Sequence, residues 1–155
     1  MGVNHNYRSP SINECTLGSD GSLTCAGTMK GVSQLETLDP YTTVQAETMA
    51  SQSKGIRVDG LQNTIVTGGK GDWTKVAGVN FANGTKAMTI RASSQSGAAI
   101  KVMAGGTNGD VIGYAEIPAG GSMEDITVAV NNISGTKDVY FLFSGDVVFD
   151  SWSFE

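Results

Sequence analysis

The chain has 155 residues, which is enough for one domain with a hydrophobic core. It contains 21 glycines, 16% charged residues and a formal net charge of −5, a composition that favours short strands and tight turns over a helical bundle. The absence of clustered lysine and arginine argues against nucleic acid and membrane as partners, whereas a neutral sugar needs no net charge.

The first 39 residues are polar and contain one hairpin signal. The opening MGVNHNYRSPS lacks the apolar stretch of a signal peptide, and we interpret Met1-Gly2 as an added start on a piece of a longer chain. The composition changes near Leu38-Asp39-Pro40. We therefore expect residues 1–39 to form a linker or tail and residues 40–155 to form the folded domain.

The only two cysteines, Cys15 and Cys25, enclose the segment TLGSDGSLT. A three-residue loop at 19–21 pairs Gly18 with Ser22 and places Cys15 opposite Cys25. Two outcomes are consistent with this spacing: a cross-hairpin disulfide in an oxidising compartment, or two free buried thiols.

Short strand-like runs follow residue 40 and are separated by glycine, asparagine and aspartate. None of them shows a sustained period of 3.6 residues. Such runs at regular spacing indicate an all-β sandwich or barrel, and we predict an antiparallel sandwich with no helix longer than a turn or two. The predicted strands are TTVQAE (42–47), TIVT (64–67), WTKVAGV (73–79), KAMTIRA (86–92), AAIKVMA (98–104), VIGYAEI (111–117), DITVAV (125–130), VYFLF (139–143) and VVFDSWSF (147–154).

Alternation within these runs assigns their faces, because successive side chains of a strand point to opposite sides. In KAMTIRA, Met88, Ile90 and Ala92 share one face, which we assign to the core. The run VYFLF (139–143) is apolar on both faces, so we expect a central strand that is covered on both sides.

Catalytic motifs are scarce. His5 is the only histidine and lies in the polar leader, where a solvated side chain is the simpler interpretation. No zinc-protease, Walker or dinucleotide-binding pattern occurs, and GGKGD (68–72) is expected to be a tight loop before a strand. The carboxylates are numerous enough to leave a glycosidase pair open, but the missing motifs favour a protein that is not an enzyme.

A small set of oxygen-bearing side chains is a candidate metal site. Alternation places Gln45 and Glu47 on one side of a strand, and it places Asp150 on the same face as Trp152 and Phe154. A carboxylate among large apolar groups is costly unless it is paired or bound to a metal, and these oxygen ligands suit calcium. The alternative is a solvated Glu47 and a hydrogen-bonded Asp150, which the spacing alone favours.

Trp73 is a candidate platform for a sugar ring. Val76 is expected to face the core, and Trp73 is an odd number of residues away, so Trp73 and Lys75 are expected to face outward. A tryptophan ring stacks on the apolar face of a pyranose, while neighbouring polar groups bind the hydroxyls. The alternative is a tryptophan that is covered by a loop.

From Asp39 to Glu155 the chain resembles a family 6 carbohydrate-binding module. The resemblance rests on an ordered set of motifs: QAETMASQSKGIRVDG, the GDW of GKGDWTKV, VNFANGTKAMTIRAS, GDVIGYAEIPAGG and FDSWSF. It implies a jelly-roll sandwich with a structural calcium held by Glu47 and Asp150, with Gln45 as a third ligand, and so reverses the preference given by spacing. The leader is similar to the tail that follows the catalytic propeller in family 43 glycoside hydrolases.

The resemblance also implies two sugar sites. In the loop cleft at one end of the sandwich, Thr67 and Met123 occupy the positions of the two clamping aromatics, and Val148 occupies that of an asparagine. Only Asp59 keeps the acidic residue of that cleft, which therefore looks disabled. The second site, on the concave sheet face, uses a tryptophan that corresponds to Trp73.

Lys75 and Gln52 fall near the polar positions of that second site.

The resemblance as a whole predicts a non-catalytic module that targets an appended glycoside hydrolase to plant cell-wall polysaccharide, either xylan or arabinoxylan or a β-glucan. The alternative is a structural accessory domain that stabilises the catalytic domain and has little sugar affinity. The expected partners are a polysaccharide or oligosaccharide and the upstream catalytic domain of the same polypeptide; we expect a monomer, and the resemblance implies a secreted parent protein.

Overall fold

The computed structural model of the protein describes residues 15–25, 36–60 and 64–155. Their regular elements are 13 β-strands without any helix, so these ranges contain no helix long and apolar enough to cross a membrane. The chain divides into two compact units, residues 1–35 and 36–155.

The described part of the first unit is a disulfide-closed hairpin. Cys15 lies opposite Cys25 and forms a disulfide with it, so the protein adopts the first of the two outcomes left open by the spacing. The Gly18 N–H donates a hydrogen bond of 2.7 Å to the Ser22 carbonyl, which closes the predicted three-residue loop. The two strands of this hairpin are β1 (Cys15–Leu17) and β2 (Leu23–Cys25).

The second unit is an antiparallel β-sandwich of the jelly-roll type, as predicted. Its strands are β3 (Val44–Gln45), β4 (Ser51–Gln52), β5 (Arg57–Asp59), β6 (Ile65–Gly68), β7 (Trp73–Phe81), β8 (Ala87–Ser93), β9 (Ala98–Ala104), β10 (Asp110–Ile117), β11 (Glu124–Ala129), β12 (Gly135–Phe143) and β13 (Val147–Phe154). The five-stranded sheet has the spatial order β10-β9-β12-β7-β4, and the second sheet has the order β11-β8-β13-β6-β5, with β3 also paired to β13.

Aromatic side chains from both sheets meet in the core. The ring of Phe81 lies 5.1 Å from that of Phe154, and the ring of Phe141 lies 5.2 and 5.3 Å from those of Phe149 and Trp152. All five side chains are 2% exposed or less. Because each contributes roughly 1.5–3 kcal/mol when fully buried, these contacts between β7, β12 and β13 are a main source of the attraction between the sheets.

All nine predicted strands occur, but the first is shorter than predicted. The structure ends β3 at Gln45 because the Thr48 N–H donates a hydrogen bond of 3.0 Å to the Gln45 carbonyl and turns the chain. Sequence analysis missed β4 and β5. Both are exposed edge strands of two and three residues, too short to show apolar alternation.

The prediction that VYFLF is covered on both sides is wrong. In β12, Val139, Phe141 and Phe143 are buried in the core, whereas Tyr140 and Leu142 are only half-buried. The second sheet covers one side of β12, and the other side faces outward. This outward side is rich in apolar side chains.

Candidate functional site

The face of the five-stranded sheet that points away from the core carries Trp73. Side chains alternate along β7: Thr74 and Val76 are 1% and 4% exposed, whereas Trp73 and Lys75 are half-buried and point outward. The orientation of Trp73 and Lys75 thus follows the predicted alternation relative to Val76. The strand presents an indole and an ammonium group on the same side of the sheet.

A second aromatic residue, Tyr140, stands beside Trp73. The two ring centroids are 5.7 Å apart and the rings are tilted by 50°, a separation at which aromatic pairs attract each other. Sequence analysis missed Tyr140, because VYFLF consists of large apolar side chains on both faces. The available signal is the polar tip of Tyr140, which alternates with the fully apolar Val139 and Phe141.

Lys75 is held against Tyr140 by an ion pair. Its Nζ atom lies 2.7 Å from Asp138 Oδ2 and 5.8 Å from the centroid of the Tyr140 ring. The hydrogen bond between Lys75 and Asp138 raises the pKa of Lys75 and lowers the pKa of Asp138. Asp138 Oδ1 also accepts a hydrogen bond of 3.0 Å from the Gly78 N–H. The face therefore offers hydrogen-bond donors and acceptors beside the rings with little net charge.

The turn before Trp73 is fixed by a partly buried hydrogen-bond network around Asp72. The Asp72 carboxylate accepts hydrogen bonds from the Ser53 hydroxyl at 2.6 Å and the Gly69 N–H at 2.9 Å, and these bonds hold the pKa of Asp72 below its ordinary value of 3.8. Ser53 Oγ in turn accepts from the Trp73 N–H at 3.1 Å. A Cβ atom at Gly55 would collide with the Asp72 carboxylate, so a larger residue there would displace the carboxylate from this network. These hydrogen bonds hold the backbone of Trp73 in place.

The outward side chains continue across the sheet to Tyr114. Direct cross-strand partners share a face, and the pairing runs from Trp73 to Leu142, from Leu142 to Lys101 and from Lys101 to Tyr114. Met103 lies opposite Tyr140 and so shares its side of the sheet, but it is 2% exposed. We call these outward side chains the aromatic face; they are Trp73, Lys75, Tyr140, Leu142, Lys101, Met103 and Tyr114.

Gln52 is not placed on the aromatic face by the strand register. In the pairing of β4 with β7, Ser51 lies opposite Lys75 and Gln52 lies opposite Thr74, whose side chain is buried. Ser51 rather than Gln52 therefore shares the side of Trp73 and Lys75. Gln52 is exposed at the edge of the sheet.

The loop cleft brings together only part of the set assigned to it. Thr67 and Val148 are direct partners in β6 and β13, and both line a cleft of about 390 Å³ whose described lining contains no aromatic ring. Met123 and Asp59 do not line it. Met123 is half-buried before β11, and Asp59 is exposed opposite Ile65.

The candidate metal residues lie where the first and last strands of the sandwich meet. The Ala46 N–H donates a hydrogen bond of 2.8 Å to the Asp150 carbonyl. Glu47 Oε2 is buried and has no hydrogen-bond partner, an arrangement that is costly unless a cation neutralises the oxygen. Glu47 thus fits a cation. Gln45 is exposed at the end of β3 and Glu47 lies in the turn that follows it, so the prediction that the two side chains share one side of a strand is wrong: only Gln45 belongs to the strand.

The predicted position of Asp150 beside Trp152 and Phe154 is also wrong. A β-bulge shifts the register between Phe149 and Ser151, so Phe149, Trp152 and Phe154 are buried while Asp150 is half-buried. Asp150 Oδ2 accepts from the Ser151 hydroxyl at 3.1 Å and lies 3.5 Å from an Arg91 nitrogen. Within residues 15–25, 36–60 and 64–155, no group of three or more acidic, histidine or cysteine side chains is placed to hold a metal.

The fold and the aromatic face define a class of protein: a β-sandwich whose outward sheet surface carries a pair of aromatic rings. The family model for carbohydrate binding module (family 6) matches residues 36–155. The chain therefore belongs to family 6 of the carbohydrate-binding modules, and it is a non-catalytic module as predicted. His5, the only histidine, lies outside the described residues.

Two proteins with similar sequences are larger enzymes. The chain is 31% identical to an arabinoxylan arabinofuranohydrolase from Paenibacillus polymyxa, over 99% of this chain and 27% of the relative. It is 34% identical to endo-1,4-beta-xylanase A from Thermoclostridium stercorarium, over 76% of this chain and 19% of the relative. The chain thus spans less than a third of the length of these two relatives.

Solved structures agree with this assignment. The family 43 arabinoxylan arabinofuranohydrolase from Bacillus subtilis, solved with cellotetraose, superposes with a TM-score of 0.88 at 32% identity, over 96% of this chain and 34% of that one. A β-1,3-glucan-binding family 6 module from Bacillus halodurans superposes with a TM-score of 0.71 at 26% identity, over 77% of this chain and 99% of that one.

Proposed function

We propose that this module binds a β-linked glycan of the plant cell wall through the aromatic face and so holds an appended glycoside hydrolase near its substrate. The observation that carries the proposal is the pairing of Trp73 and Tyr140 on the outward side of the five-stranded sheet. Two rings 5.7 Å apart offer apolar surface to a pyranose, and Lys75 and Asp138 beside them offer hydrogen-bonding groups to its hydroxyls.

The relatives narrow the glycan to xylan, arabinoxylan or a β-glucan. Two of them act on arabinoxylan or on β-1,4-xylan, and a structural neighbour binds β-1,3-glucan. These polymers are neutral along their main chains, which suits a face on which the charge of Lys75 is balanced by Asp138. We infer a weak, single-platform interaction with Kd on the order of 0.1–1 mM.

A specific observation favours a second function, that of a structural domain with little sugar affinity. The cleft lined by Thr67 and Val148 presents no aromatic ring from the described residues. A module that has lost stacking groups at one site and uses the other only for packing would stabilise its neighbour without binding sugar.

Affinity electrophoresis separates the two functions. The panel consists of soluble xylan, arabinoxylan and mixed-linkage glucan, and the variants are Trp73→Ala, Tyr140→Ala and Thr127→Ala, the last on the outward face of the second sheet. The binding function predicts that at least one polymer retards the parent protein and Thr127→Ala, and that Trp73→Ala and Tyr140→Ala migrate freely. Unretarded migration of the parent protein on every polymer would support the structural function.

We further propose that Glu47 and Asp150, assisted by Gln45 or by backbone carbonyls, hold a structural calcium. The support is the buried Glu47 Oε2, which has no hydrogen-bond partner, together with the hydrogen bond that joins the neighbouring Ala46 to Asp150. Oxygen donors of this kind suit calcium. The bound ion would neutralise the carboxylates and hold the first and last strands of the sandwich together.

We also propose that residues 1–39 are the tail of an upstream catalytic domain in a monomeric, secreted protein. The similarity to arabinoxylan arabinofuranohydrolase extends over 99% of this chain, which includes the hairpin. The Cys15–Cys25 disulfide suits an oxidising compartment.

A further inference from the structure

The aromatic face contains a second pair of a lysine and a tyrosine. Lys101 Nζ lies 5.8 Å from the centroid of the Tyr114 ring, the same distance that separates Lys75 Nζ from the Tyr140 ring. Tyr114 is 53% exposed, one of the few large apolar side chains that is exposed among the described residues. The sequence does not reveal this pair, because its members lie on two different strands.

Tyr114 lies in the same cross-strand row as Trp73. The row passes from Trp73 in β7 through Leu142 in β12 and Lys101 in β9 to Tyr114 in β10, each step being a direct pairing. Three strand spacings of about 4.7–4.9 Å separate the ends of the row by about 14 Å, so roughly four consecutive sugar rings, one over each strand, would reach from Trp73 to Tyr114. The row therefore has the length of a short oligosaccharide laid across the strands.

The middle of the row combines the apolar side chain of Leu142 with the ammonium group of Lys101. Leu142 is half-buried, so it leaves apolar area next to Trp73 that a sugar ring could cover, whereas Met103 in the adjacent row is 2% exposed and adds almost none. At the far end Lys101 contacts a ring and has no ion-pair partner among the described residues, whereas Lys75 is paired with Asp138. The ammonium group of Lys101 thus has donors to offer to ligand hydroxyls.

We propose that Tyr114 and Lys101 form a distal subsite for the glycan that Trp73 and Tyr140 bind, so that the sugar chain crosses the sheet from β7 to β10. This inference rests on the proposed function of the aromatic face and extends it: the module recognises about four consecutive neutral sugars. The first ring stacks at Trp73, and the last contacts Tyr114.

Isothermal titration calorimetry with a length series tests the inference. The ligands are oligosaccharides of two to six units from the polymer that retards the protein most strongly. We expect the affinity of the parent protein to rise about fivefold between the disaccharide and the tetrasaccharide, as one added stacking contact implies, and then to level off. Tyr114→Ala should abolish this rise and leave disaccharide binding within about twofold, because the proximal rings are untouched.

Two further variants separate the possible failures. Lys101→Met keeps the apolar stem and removes the donors, so it should lower only the affinity for the longer ligands. Trp73→Ala should remove binding at every length. If Trp73→Ala has that effect but Tyr114→Ala keeps the full length dependence, or weakens all lengths equally, the distal subsite is refuted and the proposed function stands. If no ligand binds the parent protein, or Trp73→Ala binds all lengths unchanged, the proposed function fails as well.

Discussion

The two sheets present opposite chemistry on their outward faces. On the second sheet, the Thr89 and Thr127 hydroxyls are 2.8 Å apart, and an Arg91 nitrogen lies 3.0 Å from Asp125 Oδ1. These are direct cross-strand pairs, so each polar group finds its partner on the neighbouring strand. On the five-stranded sheet, the corresponding outward positions carry the rings, apolar groups and lysines of the aromatic face.

The difference shows which outward face is available to a ligand. Both faces obey the same two-residue alternation, so alternation alone does not identify a binding surface. On the second sheet, the two hydroxyls hydrogen-bond to each other, the arginine hydrogen-bonds to the aspartate, and solvent surrounds both pairs. Half-buried rings have apolar area that neighbouring strands do not cover, and a stacked sugar would remove that area from water.

The largest expected effect separates the two sides of β12. Phe141 is fully buried between the sheets, and Tyr140 next to it belongs to the aromatic face. Phe141→Ala should lower the free energy of unfolding by about 3–5 kcal/mol through cavity formation, while Tyr140→Ala should lower it by only about 1 kcal/mol. Urea denaturation measures both values, and equal losses for the two variants would contradict the assignment of the outward side of β12.

Metal removal should have the next largest effect, on stability alone. If Glu47 and Asp150 hold calcium at a concentration near 100 times its Kd, the ion stabilises the fold by about 2.7 kcal/mol. A chelator should then lower the thermal midpoint by roughly 5–15 °C, and Glu47→Gln should lower the midpoint in calcium and abolish the chelator effect. Differential scanning calorimetry with elemental analysis checks this; an unchanged midpoint and no bound metal would refute the site.

The core and the outward orientation of Trp73 were predictable because both follow from local alternation. Met88, Ile90 and Ala92 in β8 are buried as predicted, as is Val76 in β7. The position of Asp150 was not predictable, because a single bulge in β13 changes the alternation and leaves no mark in the composition of that strand.

The neighbours of Trp73 were equally hidden in the sequence. Tyr140 and Tyr114 reach the aromatic face through strand order and register, which bring together residues 67 and 41 positions away from Trp73 in the chain. The assignment of Gln52 to that face failed for the same reason, since register places Ser51 opposite Lys75. Long-range pairing is set by the whole sheet and not by the local pattern.

A smaller effect concerns binding rather than folding. Trp73→Ala should weaken oligosaccharide binding by about tenfold or more, because a tryptophan in the contact surface is a typical hot spot. Thr127→Ala removes an exposed hydroxyl from the second sheet, away from the aromatic face, and should leave binding unchanged. Calorimetric titration of both variants measures the contrast, and a comparable loss in the two would mean that the aromatic face is not the binding surface.

The smallest effect is expected from the ion pair between Lys75 and Asp138. Their side chains are 25% and 41% exposed, so solvent screening limits the contribution of the pair to about 0.2–1 kcal/mol.

The pKa of Asp138 lies below its ordinary value of 3.8, so its stabilising contribution is present above that value and is lost as the pH falls through the lowered pKa. The pKa of Lys75 lies above its ordinary value of 10.5, so its contribution is present below that value and is lost as the pH rises through the raised pKa. The contribution of the ion pair to folding stability should therefore stay constant between about pH 5 and pH 9, and so should the affinity for sugar, since both groups remain charged throughout.

Asp138→Asn should lower the affinity for sugar about twofold at every pH in this window, because Lys75 loses the partner that holds it against Tyr140. A bell-shaped dependence of affinity on pH within the window would show that some other titrating group controls binding.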